Sequence, residues 1–262
     1  MKLLVKNILI LAISVLFFAC GGTKIDQQVV LNQTQPVKDS VYTIPEKPQV
    51  LVFTKTSGFN HGSIETGIKT LKQLGIRNDF QIVSTDDASE FNTENLANYQ
   101  LVLFLNTTGD VLNSEQQGAF ETYIQSGGSF MGIHSATDTE QGWPWYGKLV
   151  GAYFVSHPKE QRATIQVIDG SHMSTSHLSG TWSHFDEWYD FKDINPDIHV
   201  LLKLDESTYT GGKNGDDHPI AWYHEYDGGR AFYTGLGHTE ASYDDLDFRK
   251  HLIGAINWCL KR

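Results

Sequence analysis

The chain has 262 residues, 31 of them Asp or Glu against 20 Lys or Arg, for a formal net charge of −11. So acidic a balance, with no block of basic residues, argues against nucleic acid as a partner, because phosphate binding rests on clustered Lys and Arg.

The first residues read as a leader. Lys2 and Lys6 give a positive start, Ile8 to Ala19 form an apolar run, and Cys20 follows a small residue. That run is too short to span a bilayer and has the form of an export signal. Two readings fit: a lipoprotein leader acylated at Cys20, or an ordinary secretory signal with an incidental cysteine. The polar stretch after Cys20-Gly21-Gly22 suits a leash from membrane to domain and favours the lipoprotein. The expected organisation is a signal peptide at 1–19, a lipidated Cys20 with tether at 20–47, and one domain at 48–262. Anchoring would place it in a bacterial cell envelope, and the lack of an acidic run directly after Cys20 favours the periplasmic side. Acylation would leave Cys259 as the lone thiol, packed in the last helix.

In chain order, Val50–Thr54 is a continuous apolar run of strand length, and Lys55–His61 reads as a loop. Ser63–Leu74 is helical with Gly75 as a stop. Gln81–Thr85 is a second strand, Thr93–Ala97 a short helix, and Leu101–Leu105 a third strand, apolar on both faces as in a parallel sheet. Ser114 caps a helix ending at Ser126, Gly127 and Gly128 close it, and Phe130–Ile133 forms the next strand. That strand delivers His134 at a sharp turn, the design of a nucleophile elbow with an imidazole at its tip. Alternating strands and helices imply a parallel α/β sheet whose ligands bind beyond the strands' carboxyl ends. His61, Asn106–Thr108, His134 and Asp138 would then lie along one edge. The second half changes character: Thr164–Ile168 and His199–Lys203 read as strands, and Ile220–Tyr226 with Arg230–Thr234 as a hairpin about Asp227-Gly228. This part of the sheet is expected to be mixed or antiparallel. Asp247–Leu260 closes the chain as an amphipathic helix.

Five ordered motifs carry a family resemblance: Gly58-Phe-Asn-His61, Gly127–Ala136, Phe154-Val-Ser-His-Pro158, Asp186-Glu-Trp-Tyr189, and Gly229–His238. Together they resemble the ThuA-like (trehalose utilisation) domain across Pro48–Arg262, with Asn60 where that family more often has Arg. The resemblance implies a flavodoxin-like, class I glutamine amidotransferase-like three-layer sandwich, and a link to trehalose-like and 3-keto sugars. Amidotransferases carry a cysteine where this chain has His134, so a thioester route has no attacking atom and glutaminase activity is excluded. Their late His-Pro-Glu resembles His238-Thr239-Glu240.

Two chemistries suit these histidines. Neutral imidazoles with carboxylates fit zinc or a similar divalent ion, for which His61, His134 and His238 are the candidate ligands. The same groups without an ion can act as general acid and base. His134 and His238 are the expected catalytic pair, with Glu240 orienting His238. Asn60, His61, Asp138 and Glu187 are expected to hold substrate, Glu187 chosen over Asp186 because alternation separates the two. His157 either contacts substrate or only orients its loop. Trp143 and Trp145 are expected to wall the pocket against sugar CH faces, whereas Trp188 and Trp222 fill the core. The function expected is processing of a small carbohydrate, with a partner sugar dehydrogenase supplying an oxidised substrate. The alternative is a sugar-binding lipoprotein without catalysis.

Overall fold

A computed structural model of the chain describes residues 47–262. The leader, Cys20 and all of the tether before Lys47 lie outside the described residues. The parallel half is built from β1 (Gln49–Phe53), β2 (Gln81–Thr85), β3 (Leu101–Leu105) and β4 (Ser129–Ile133). Between them run α1 (Ile64–Arg77), α2 (Thr93–Leu96) and α3 (Ser114–Gln125), followed by α4 (Pro144–Val150). The second half holds β5 (Tyr153–Ser156), β6 (Gln161–Val167), β7 (Thr181–Asp186), β8 (Asp190–Lys192), β9 (His199–Asp205), β10 (Pro219–Tyr226) and β11 (Gly229–Thr234), and closes with α5 (Leu246–Cys259).

One nine-stranded sheet has the order β2-β1-β3-β4-β11-β10-β9-β6-β7, with β5 and β8 forming a separate pair. β11 runs parallel to β4, with Thr234 opposite Ile133, and antiparallel to β10. The last hairpin thus completes the 2-1-3-4-5 order of a flavodoxin-like sheet with a strand from the end of the chain. Beyond it, β9, β6 and β7 pair antiparallel, as the second half's alternating pattern requires.

Residue alternation along β3 sorts the layers. Phe104 packs on Phe120 of α3 and Tyr146 of α4, while Leu105 faces Gly67 of α1. Both faces of β3 and β4 are therefore covered and every residue in them is buried, which explains the apolar run of β3 and of β4 after Ser129, whose hydroxyl donates to the Cys259 carbonyl. Trp188 and Trp222 are fully buried in the core.

Local readings shift in two places. Gly75 does not stop α1: the helix continues to Arg77, and a Cβ at Gly75 would lie 2.7 Å from the Phe80 carbonyl oxygen. Its small size serves close packing, and the chain leaves the helix at Asn78, followed by Asp79 at φ 54°. At α3 the cap is Asn113 rather than Ser114, in a reciprocal capping box with Gln116.

Candidate metal centre

His134 follows Ile133 at the carboxyl end of β4 and adopts φ 50°. A side chain in this left-handed region costs roughly 1–2 kcal/mol, so the surroundings must hold it there. They do so through both its polar ends. Tyr233 Oη donates to the His134 carbonyl at 2.7 Å, and His134 Nδ1 donates to the Gly235 carbonyl at 3.0 Å. Gly132, two residues earlier, leaves room for the turn: a Cβ there would sit 2.9 Å from Ala136 Cβ and 3.1 Å from Tyr233.

His238 arrives from the loop after β11. Asp186, fully buried at the end of β7, accepts from Gly237 N at 2.8 Å and Thr239 N at 3.1 Å, clamping the backbone on either side of the histidine. Glu187 continues from the same strand end. Its Oε2 lies 3.4 Å from His134 Nε2 and 3.2 Å from His238 Nδ1, while Oε1 lies 2.8 Å from His157 Nδ1, which donates to the Pro158 carbonyl at 3.0 Å. His61, from the loop after β1, is buried with its ring edge-on to His134 at 5.1 Å and to His238 at 5.2 Å. Its Nδ1 lies 3.4 Å from Ser135 Oγ. Tyr189 covers one side, its ring 4.2 Å from that of His134.

Hydrogen-bond accounting fixes the chemistry. His134 Nδ1 carries its proton to Gly235, which leaves Nε2 a lone pair. His238 Nε2 faces Glu160 Oε1 at 3.1 Å and carries its own proton there, which leaves Nδ1 a lone pair as well. These two nitrogens are 3.0 Å apart and both face the Glu187 carboxylate. Three acceptors therefore converge, and the gap between them calls for a proton or a cation. Burial, then the neighbouring His134, His238 and His157, holds His61 down to about 2. Burial and His134 likewise lower His238. His61 and His238 are thus kept in the neutral form that ligates metals. One ligand atom from each of His61, His134, Glu187 and His238 lies within 4.8 Å of the others, the geometry of a site for one ion. The backbone carbonyl behind His134 and the carboxylate behind His238 are the outer partners such ligands usually have.

Other expected site residues fall differently. His157 reaches the centre through Glu187. Asp138 stands close by, its carboxyl pushed up by burial, with Gln141 Nε2 donating to Oδ1 at 3.0 Å. Asn60 is exposed on the loop before His61. Glu240 does not orient His238: it is exposed and accepts from Thr66 Oγ1 at 3.2 Å, while Glu160 holds the imidazole that Glu240 was expected to hold. Trp143 and Trp145 do not wall the centre. They stack on each other, and their indole N–H groups bond Glu121 and Asp227, the latter in the β10–β11 turn at the opposite end of the sheet. Glu160 escaped sequence reading because it is one acidic residue in a polar loop.

A second group, Asp190, Glu206 and His218, is also close enough to share an ion. Its atoms are already engaged. His218 Nε2 donates to the Tyr189 carbonyl at 2.8 Å and Nδ1 to Glu206 Oε1 at 2.7 Å, and Asp190 Oδ1 accepts from Lys213 N at 2.7 Å. This group ties the 206–215 loop to Tyr189 and Asp190, at the start of β8 just after Glu187.

A flavodoxin-like sheet with a histidine at the β4 elbow and three further donors around it defines the class to which comparisons can be put. The trehalose utilisation (ThuA) family model matches residues 49–259, and the chain belongs to that family. Among solved structures, a ThuA-like protein from Bacteroides uniformis superposes with TM-score 0.71 at 24% identity, covering 83% of this chain and 94% of that one. One from Parabacteroides merdae gives 0.68 at 22%, covering 81% and 90%. A β-galactosidase from Bacillus circulans shares the fold over 81% of this chain but only 31% of its own, at TM-score 0.53 and 14% identity. A search of curated protein sequences gives no match.

Proposed function

We propose that this protein is an envelope-anchored enzyme of sugar metabolism in which His61, His134, His238 and Glu187 hold one divalent ion and act on a carbonyl-bearing, trehalose-like sugar. The observation that carries the reading is the convergence of His134 Nε2, His238 Nδ1 and Glu187 Oε2 with no proton assigned between them. Three imidazoles and a carboxylate suit zinc. A bound ion would polarise a sugar carbonyl, which acidifies the adjacent C–H bond.

The chain's own residues supply the rest. Asp138, its carboxyl pushed up by burial, stands beside the centre as a candidate proton acceptor, and His157, half exposed beside Glu187, as the group to deliver a proton to a departing oxygen. A 3-keto glycoside would meet both needs, since proton removal beside its carbonyl weakens the bond to the neighbouring glycosidic oxygen. Glutamine hydrolysis has no counterpart here. The elbow carries an imidazole, Ser135 Oγ is buried against His61, and the Cys259 thiol is buried at the other end of β4, near the Phe130 carbonyl. The leader and Cys20 support anchoring in the envelope, and the family's link to trehalose supports the substrate class.

Elemental analysis of the purified full-length protein for Zn, Mn, Ni and Co, followed by chromatography of trehalose and 3-ketotrehalose incubations, tests this. The expected result is one equivalent of metal, lost in Glu187→Gln, and turnover abolished in His134→Ala. Absence of stoichiometric metal in the native protein removes the ion. Turnover that persists in His134→Ala removes the centre's catalytic role, and sugar binding without any turnover leaves a capture protein instead.

A further inference from the structure

A cleft of about 510 Å³ reaches His61 from the carboxyl ends of β1 and β2 and the start of α1. Thr54, Lys55, Thr56, Asn60, Glu65 and Asp86 line it. Its volume falls within the ~300–1,000 Å³ of small-molecule sites. It opens beyond the carboxyl ends of β1 and β2, the edge at which open parallel sheets take their ligands.

The lining selects the ligand's chemistry. One ammonium, Lys55, stands against two carboxylates, Glu65 and Asp86, and Glu65 occupies the first turn of α1, where it already answers the helix dipole. A phosphate or carboxylate ligand would meet net negative charge. Hydroxyls, an amide and charges of both signs instead suit a neutral ring rich in hydroxyl groups.

Phe59 adds an apolar partner. It is 67% exposed, yet its ring stands edge-on to His61 at 4.9 Å. The loop that carries it is fixed by Thr108, which donates from Oγ1 to the Phe59 carbonyl at 2.9 Å, accepts at Oγ1 from Gly58 N at 3.2 Å, and accepts at its carbonyl from Ser57 N at 2.7 Å. A phenyl ring held in water by its backbone, beside the histidine centre, offers a platform for the CH face of a sugar.

We propose that Phe59 and this cleft form the subsite for the non-reacting ring of a glycoside, which makes the substrate a disaccharide or larger rather than a single sugar. The inference rests on the reading that the reacting ring sits at the histidine centre. Calorimetric titration of the full-length protein with trehalose, sucrose, lactose, maltose and glucose tests it, with zinc content measured on the same samples. At least one disaccharide should bind about tenfold tighter than glucose, a difference of ~1.4 kcal/mol. Phe59→Ala and Asp86→Ala should each cost that disaccharide about tenfold, ~1.4 kcal/mol, and Phe59→Tyr should restore it. Thermal melts establish that each variant is folded. Equal binding of disaccharide and glucose, variants that bind like the native protein, or no binding of any sugar in the set would each overturn the subsite. Disaccharide binding that depends on Phe59 in a protein that takes up no zinc would sink the metal centre alone. Stoichiometric zinc without that dependence would sink the subsite alone.

Discussion

Replacing Gly132 with alanine tests the elbow directly. The added Cβ would lie 2.9 Å from Ala136 Cβ and 3.1 Å from Tyr233 Cδ2. Ala136 has no side chain to swing away, so its backbone must move, and it belongs to the turn that begins at His134. Overfilling of this kind costs about 1–3 kcal/mol. The displacement acts on the segment that aims His134 Nε2, so zinc affinity should fall with stability. Gly118→Ala is the matched control: it is exposed within α3, meets nothing within 4 Å, and should gain about 0.5–1 kcal/mol. Urea unfolding of both variants without metal, followed by zinc titration, gives the two readouts. A Gly132→Ala protein as stable as the native chain and with the same zinc affinity would refute the claim that this glycine makes room for the turn.

Two further outcomes follow from buried charge. His251 is fully buried, and burial holds it down to about 3, with Nδ1 donating to the Ser174 carbonyl. Because its folded value lies below the unfolded ~6.5, the unfolded chain binds the extra proton first, and stability from this group is complete above pH 6.5 and lost as pH falls. Between pH 6.5 and 5 the loss should be about 2 kcal/mol. Other lowered histidines, His61 among them, add to the native loss, so urea melts at both values should show a loss in His251→Asn smaller than the native one by that amount, the variant's uniform cost cancelling in the comparison; equal slopes would count against it. Asp186→Asn removes a buried carboxylate that accepts from Gly237 N, Thr239 N and Ser242 Oγ, so a calorimetric melt should register a loss on the order of 3 kcal/mol.

The sheet's parallel half was legible because burial on both faces leaves β3 wholly apolar and β4 with a single polar residue, Ser129, and the elbow because glycines bracket an apolar run ending in histidine. The short β5 and β8 have too few residues to show period two, and β7, although its burial alternates over six residues, buries His184 and Asp186 and exposes Phe185, so its sequence carries no apolar alternation. Where a residue's role depended on which end of the sheet it reached, sequence distance misled. Trp143 and Trp145 follow the elbow by only a few residues, but the segment before α4 has by then carried the chain back toward the start of the strands, where Trp145 meets Asp227. Glu240 is two residues from His238 yet turned to α1, whereas Glu160, far away in the chain, reaches the imidazole. Phe59 was visible only as one apolar residue in a loop, and its exposure beside His61 emerges from the fold.

The placement of β11 also dictates when the centre comes into being. Its four groups stand at positions 61, 134, 187 and 238, and no two of them share a strand or helix. His134 and His238 meet only once the last hairpin has docked beside β4. A chain that has emerged as far as Glu187 possesses three of the donors but lacks His238 and the strand that positions it, so the complete centre requires the last hairpin in place.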